Sequence, residues 1–170
     1  MTIIEITDRQ KEQLLRITPS TDHSMEYRPC QVTLKNGEII NNVYVVEESS
    51  YMKTWGVMPD ADTGKKYILI DNVSEINESP NRLQASLANK IYDGGESGMG
   101  YCLFKILFDN GLTTDVCTGN AVDFVPFPNG LTTQNIKDVL PHQASRKNFV
   151  NGLEYYWCLF KGEIPKIYRN

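Results

Sequence analysis

Two Asn-Gly dipeptides, each set between runs of strand-forming residues, constrain the fold of this chain more than any other feature. Asn36-Gly37 lies between CQVTLK and EIINNVYVV, and Asn110-Gly111 lies between YCLFKILF and LTTDVCT. Asn-Gly between alternating apolar residues is the strongest short hairpin signal, since both residues tolerate the positive φ of a type I′ turn. The sequence therefore predicts two antiparallel hairpins. In the second, Cys117 is expected opposite Phe104, with Cys102 and Cys117 on one buried face.

A short helix is predicted near the start of the chain, over about residues 8–17. Thr7 and Gln10 have the spacing of a capping box, and Asp8 suits the positive end of the helix dipole. Residues 18–29 contain prolines and several small polar residues, so we expect a linker there.

The first hairpin continues into further short strands. Residues 51–57, 66–70 and 73–76 have the length and composition of strands, with a polar loop between the first two. Asn41-Asn42 interrupts the apolar alternation of the second hairpin arm, as a β-bulge or a sharp bend would. Five short strands within residues 30–77 predict a small, strongly curled barrel.

The same residues resemble the small β-barrel of Sm and SH3-like proteins. VTLKNGEIINNVYVVE is similar to the first strands of that barrel, and YILIDNVSEI is similar to its closing strands. The resemblance implies a strongly bent antiparallel barrel. In Sm proteins an Arg-Gly signature before the last strand holds RNA; Asp71-Asn72 stands there in this chain, without the arginine.

The second half of the chain predicts a helix, the second hairpin and two flanking elements. Ser79-Pro80 begins a pattern of apolar residues at helical spacing, which predicts a helix over residues 80–92 ended by Gly94. Residues 132–139 predict a short helix, and the aromatic run at 153–160 predicts a buried strand. The fold class is therefore α+β: a bent SH3/Sm-like barrel, then a helix and a second antiparallel hairpin with a short helix and strand.

The length of 170 residues suits a single compact unit. A subdivision into residues 1–78, helix plus barrel, and residues 79–170, an α+β part, is the alternative. We expect no internal repeat. No run of apolar residues is long enough to span a membrane and no secretory leader is visible, so the expected location is cytoplasmic.

The glycine-rich stretch YDGGESGMG, residues 92–100, is the segment most similar to a catalytic motif. It lacks the lysine of a phosphate-binding P-loop, the third glycine of a dinucleotide fingerprint and the second flanking glycine of a nucleophile elbow around Ser97. We therefore expect it to end a helix, turn through positive-φ glycines and start a strand.

Few residues suit catalysis or metal binding. His23 and His142 are the histidines, and the cysteines, Cys30, Cys102, Cys117 and Cys158, form no C-x-x-C pair. We expect no cofactor, no metal site and no catalytic residue. A hydrolase that uses His142 with Cys117 or loop carboxylates stays open as an alternative.

The charge balance favours a basic protein as partner. With 21 acidic and 17 basic residues the net charge is −4, and the basic residues are scattered, which argues against a nucleic-acid surface. We expect a non-catalytic cytoplasmic binding protein, concretely an inhibitor of the immunity-protein type that neutralises a basic, nuclease-type bacterial toxin. An Sm-like nucleic-acid-binding or assembly module is a further alternative. The predicted partner-binding residues are loop acids and neighbouring aromatics: Glu47, Glu48, Tyr51, Trp55, Asp60, Asp62, Asp93 and Glu96.

Overall fold

The computed structural model describes residues 1–165, and over this range the chain is a mixed α+β protein with three helices and two sheets. The helices are α1 (Asp8–Leu15), α2 (Glu48–Trp55) and α3 (Ala85–Asp93). The strands are β1 (Ser20–Asp22), β2 (Met25–Leu34), β3 (Ile39–Glu47), β4 (Tyr67–Leu69), β5 (Val73–Asn77), β6 (Cys102–Phe108), β7 (Thr113–Thr118), β8 (Ile136–Pro141), β9 (Val150–Asn151) and β10 (Tyr156–Phe160). Short 3₁₀ turns lie at Pro59–Ala61, Ile70–Asn72 and Thr133–Asn135. The predicted α+β class is confirmed.

The chain divides into two compact units. The first unit contains Met1–Ser79 together with the described residues from Tyr155 to Pro165, and the second contains Pro80–Glu154. Within residues 1–165 no helix combines the length and the apolar character that crossing a membrane requires.

In the first unit the strand order is β1-β2-β3-β10-β4, and β5 pairs with β2. The C-terminal strand β10 lies between β3 and β4 and runs parallel to both. One face of the sheet packs against α1 through aliphatic residues such as Leu14 and Val45. The opposite face packs against α2 through an aromatic cluster around Trp157.

In the second unit the strand order is β8-β6-β7-β9, and α3 packs against β8. A polar cluster lies inside this unit. Asp123 is fully buried, its carboxylate accepts a hydrogen bond of 2.5 Å from the Tyr92 hydroxyl, and Arg82 Nε lies 4.0 Å from its other oxygen. The Tyr92 oxygen in turn accepts a bond from the amide of Val122.

The two units repeat one structural module, which the sequence analysis did not find. Each contains a helix, a hairpin, a 3₁₀ turn and a last strand that pairs back with the first hairpin strand: α1-β2-β3-β5 and α3-β6-β7-β8. In each, the helix packs against that last strand. The similarity lies in the order and pairing of the elements, since the sequence contains no internal repeat.

Details of the hydrogen bonding also recur. The amide of Lys35 donates to the carbonyl of Asn72 at 2.8 Å, and the amide of Asp109 donates to the carbonyl of Asn135 at 2.8 Å. In both cases the acceptor ends a 3₁₀ turn just before the last strand. Both pairings of first and last strand also shift register near the hairpin, between Thr33 and Leu34 and between Leu107 and Phe108.

Neither sheet of the described chain closes into a barrel, so the predicted SH3/Sm-like barrel is not confirmed. In the first unit, residues 51–57 are predicted as the third strand, but residues 51–55 belong to α2 instead. The Glu47 carboxylate accepts the amides of Ser49 and Ser50 and so caps a helix, which ends at Gly56 with φ of +74°. A helix that packs against β2 and β3 thus stands where the predicted barrel requires its third strand.

Three further boundaries differ from the sequence prediction. The expected linker at 18–29 contains β1 and the start of β2, because Met25 and Tyr27 are buried there. The helix expected at 132–139 is the strand β8: Thr132 starts only a 3₁₀ turn, and pairing with β6 then outweighs helix propensity. The helix expected from Pro80 begins at Ala85.

Other expectations are confirmed. The capping box of Thr7 and Gln10 starts α1, and the Asn41-Asn42 segment coincides with a register shift between β2 and β3. The strands near 66–70, 73–76 and 153–160 are present as β4, β5 and β10.

Both hairpins form, but their turns have three residues rather than two. The amide of Phe108 donates to the carbonyl of Leu112 at 2.9 Å, so residues 109–111 make the loop. Gly111 has φ of +85°, whereas Asn110 is not among the positive-φ residues, which describes a turn with a glycine bulge instead of type I′.

The extra loop residue changes the register. Cys117 pairs with Leu103 and Cys102 pairs with Thr118, so the prediction that Cys117 faces Phe104 is wrong by one position. Because the side-chain period of a strand is two, this slip places Cys102 and Cys117 on opposite faces.

Candidate partner-binding loop

The predicted partner-binding residues fall into the two units. The first unit contains Glu47, Glu48, Tyr51, Trp55, Asp60 and Asp62, and the second contains Asp93 and Glu96.

The acids at the start of α2 hold the helix in place. Glu47 accepts hydrogen bonds from the amides of Ser49 and Ser50 and from the Ser49 hydroxyl, and Glu48 lies 3.7 Å from the ammonium of Lys161. Partial burial raises the pKa of Glu47, but the hydrogen bonds from Ser49 and Ser50 lower it by more, so the net shift is downward. Glu47 is therefore an N-cap whose charge stabilises the helix.

This cap predicts a pH dependence. We expect Glu47→Gln to lower the free energy of unfolding by about 1 kcal/mol near neutral pH, because a charged cap is exchanged for a neutral one. Since the folded-state pKa of Glu47 lies below the unfolded value near 4.5, the contribution of the charge is present above that pH. It is lost as the pH falls through the lower folded value.

Urea unfolding of both proteins at several pH values measures this difference. The gap between wild type and Glu47→Gln should shrink on acidification below about pH 4.5. A gap that stays constant down to the acid unfolding transition would contradict the role of the carboxylate. Glu75→Gln is the control, since Glu75 is an exposed carboxyl on β5.

The aromatic candidates belong to the interior of the first unit. Tyr51 is fully buried, and burial, with a smaller effect of the nearby Asp62 charge, raises its pKa. The Lys65 ammonium lies 3.9 Å from the centre of the Trp55 ring, donates to the Tyr51 hydroxyl at 3.0 Å and pairs with Asp62 at 3.0 Å. Lys65 thus covers this aromatic pair from outside.

Asp60 also has an internal partner. Its carboxylate lies 2.7 Å from the amino terminus, and this hydrogen bond lowers the pKa of Asp60. In the first unit the acids and aromatics predicted for partner contact are thus engaged in helix capping, packing and ion pairs.

The first unit also contains a cleft of about 690 Å³ beside the carboxyl ends of β3 and β10. Arg28, Lys11 and three glutamates line it above an apolar floor that includes Phe160. Arg28 is buried and pairs with Glu26 at 3.0 Å, so its charge is compensated within the cleft.

The second unit presents the most distinctive surface feature, the glycine loop, which we define as residues 94–101 between α3 and β6. Gly95 and Gly100 have φ of +73° and +80°, as expected for a segment that ends a helix and starts a strand. Met99 is 98% exposed at its tip. Asp93 ends the preceding helix, and Glu96 is exposed within the loop.

Side chains from the segment that follows β8 hold the loop. Nε2 of His142 lies 2.7 Å from the carbonyl oxygen of Gly94, and Nδ1 lies 2.8 Å from the Ser97 hydroxyl. A carbonyl only accepts, so Nε2 carries the proton and, in the neutral ring, Nδ1 accepts from Ser97. Ser97 Oγ also accepts the amide of Leu103 at 2.8 Å.

Arg146 makes the second attachment. Its guanidinium donates to the Tyr101 hydroxyl at 2.8 Å and to the main-chain carbonyl of Ser97 at 3.2 Å. The Tyr101 ring lies so close to Gly98 that a Cβ at residue 98 would come within 2.3 Å of it. The loop is therefore fixed at its start, its middle and its end.

Sequence reasoning missed this arrangement. It considered Ser97 and His142 separately, 45 positions apart, and gave no role to Met99 or Arg146. The usable signal was the composition of the loop, since a methionine between two glycines in a polar segment has no neighbours to bury it.

The thiol version of the hydrolase alternative requires His142 to contact Cys117, but the two nitrogens of its ring have other partners. The ring nitrogens of His142 bond to Ser97 and Gly94, while Cys117 pairs with Leu103 in the sheet. Burial raises the pKa of Cys117, and it raises the pKa of the fully buried Cys158 to about 12. Both thiols therefore stay protonated near neutral pH. Among residues 1–165 no three His, Cys, Asp or Glu side chains form a group that could hold a metal ion.

Fold and loop together define an α+β protein with a repeated module and one firmly held, exposed loop. No protein-family model, no curated protein and no solved structure matches the chain.

Proposed function

We propose that this protein is a non-catalytic binding protein that inhibits a basic protein partner, in the manner of an immunity protein that neutralises a nuclease-type toxin. The observation that carries the proposal is the glycine loop, which is fixed by Ser97, His142 and Arg146 while it exposes Met99. A loop already held in one conformation loses little entropy when it binds, which increases affinity.

The charge of the loop supports a basic partner. Residues 93–101 contain Asp93 and Glu96 and no lysine or arginine, and the whole chain carries a net charge of −4. Complementary charge accelerates the encounter of two proteins and selects against acidic competitors. Asp93 and Glu96 remain the predicted contacts of greatest interest, because they lie beside and within the loop that exposes Met99.

Neutralisation in cells is the direct test. The chain is co-expressed with each basic toxin domain encoded near its own gene, and growth and complex formation are measured. We expect one domain to be toxic alone, harmless with this protein and bound to it in a stable complex. If none of these domains is bound and none is neutralised, the proposed function is wrong.

A second candidate function is an Sm-like nucleic-acid-binding or assembly role. The resemblance of residues 30–77, preceded by the helix α1, to the Sm/SH3-like sequence pattern supports it. Oligonucleotide binding that weakens steeply between about 50 and 200 mM salt would favour that role over the first.

A further inference from the structure

The tip of the glycine loop is narrow. Met99 lies between Gly98 and Gly100, which have no side chains. The next residues along the chain on each side are Ser97 and Tyr101, and their side chains form hydrogen bonds with Leu103 and Arg146 instead of projecting at the tip. The tip therefore has the width of a single side chain. A narrow projection of this kind fits a concave surface better than a flat one.

Met99 has the chemistry of an anchor. Among the large apolar residues of the described chain it is the most exposed, at 98%, so its hydrophobic surface is available to a partner. Methionine is unbranched and polarisable, so it adapts to irregular apolar pockets. Burial of such a side chain is among the larger single contributions available to an interface.

The acids lie behind the tip, not at it. Asp93 is the last residue of α3, and a carboxylate oxygen of Glu96 lies 3.4 Å from the amide of Gly100, at the base of the turn. A surface that receives the tip would therefore meet an apolar side chain first and the two carboxylates behind it, while the Arg146 guanidinium is engaged by the Tyr101 hydroxyl and the Ser97 carbonyl.

From this arrangement we infer that Met99 enters an apolar pocket of the partner whose rim carries lysine or arginine, and that the loop thereby occupies the partner's own substrate cleft. A cleft that binds nucleic acid has such a rim, because it must attract phosphate groups. The inference rests on the proposed function and specifies how the inhibition occurs: the loop and the polyanionic substrate compete for one site.

The test uses the toxin domain that is neutralised in the co-expression experiment. Affinity is measured for wild type, Met99→Ala and Leu112→Ala by titration calorimetry. Leu112 is the matched control, because it is an apolar residue of the same unit, is 54% exposed and lies at the hairpin turn. We expect Met99→Ala to weaken binding by about ten-fold or more and Leu112→Ala by less than about two-fold.

Competition supplies a second readout. A short DNA duplex that the toxin domain binds but cannot cleave should displace the wild-type protein from the complex as the duplex concentration rises.

Glu96→Lys should also bind the toxin domain more weakly than wild type, since it brings a positive charge to a basic rim. Circular dichroism of each variant shows whether the fold is retained, and Met99 and Glu96 are exposed enough that no loss of fold is expected.

The outcomes separate the two proposals. If a toxin domain is bound and neutralised but Met99→Ala binds like wild type, or the duplex and the protein bind together, the loop inference is wrong and the proposed function stands. If no domain is neutralised, both are wrong. Weaker binding of Met99→Ala together with mutual exclusion of the duplex supports both.

Discussion

Replacing Trp157 with alanine is expected to lower the free energy of unfolding by about 3–5 kcal/mol, because it removes the largest buried side chain of the first unit. Trp157 is 1% exposed and lies in β10, the strand between β3 and β4. Its ring stacks on Tyr44 at 5.0 Å and meets Tyr51 at 5.1 Å and Tyr155 at 5.8 Å. The cavity left behind would therefore lie between the sheet and α2.

Urea unfolding followed by far-ultraviolet circular dichroism measures this loss. Trp157→Phe should cost clearly less, since the indole Nε1 has no hydrogen-bond partner among residues 1–165 and the aromatic packing is partly kept. Tyr67→Ala is the control, because Tyr67 is 42% exposed in the edge strand β4 and should lose less than about 1 kcal/mol. Equal losses for Trp157→Ala and Tyr67→Ala would show that the aromatic cluster does not hold the sheet.

The second large effect is expected in the other unit, at Asp123. We expect Asp123→Ala to destabilise the protein by about 3–5 kcal/mol, because it removes the buried carboxylate that faces Arg82 and accepts the Tyr92 hydroxyl. Asp123→Asn keeps the shape and one acceptor oxygen, so its loss should be smaller.

Asp138→Ala provides the comparison for an exposed ion pair. Asp138 lies 2.9 Å from Lys90, and both side chains are more than a third exposed, so water screens the pair and the loss should stay below about 1 kcal/mol. Thermal and urea unfolding of Asp123→Ala, Asp123→Asn and Asp138→Ala measure how much free energy of unfolding each variant loses. If Asp123→Ala is no more harmful than Asp138→Ala, the buried cluster is not a major source of stability.

The elements that sequence patterns predicted correctly have local causes. The capping box of Thr7 and Gln10 and the alternation in β6 are each decided within a few residues, and the structure contains both. The errors arose where residues outside the predicted segment decide its structure. Residues 51–57 have strand-like composition, yet the Glu47 cap and packing against the opposite face of the sheet make them helical.

The hairpin turns show that a difference of one loop residue is enough to make a sequence prediction wrong. Asn110-Gly111 fits both a two-residue and a three-residue hairpin loop, and only the pairing of Phe108 with Leu112 decides between them. That one residue determines which face each cysteine occupies. No local rule could have identified the glycine loop as a clamped structure either, since His142 and Arg146 reach it from beyond β8.

The position of β10 has a consequence for synthesis of the chain. Residues 80–154 form a continuous segment and can fold as soon as they leave the ribosome, whereas the sheet of the first unit has a gap between β3 and β4 until Tyr156–Phe160 emerge. The first unit, most of which precedes the second in the chain, is thus completed after it. During translation its open β3 edge would be a natural binding place for a chaperone that recognises extended apolar segments.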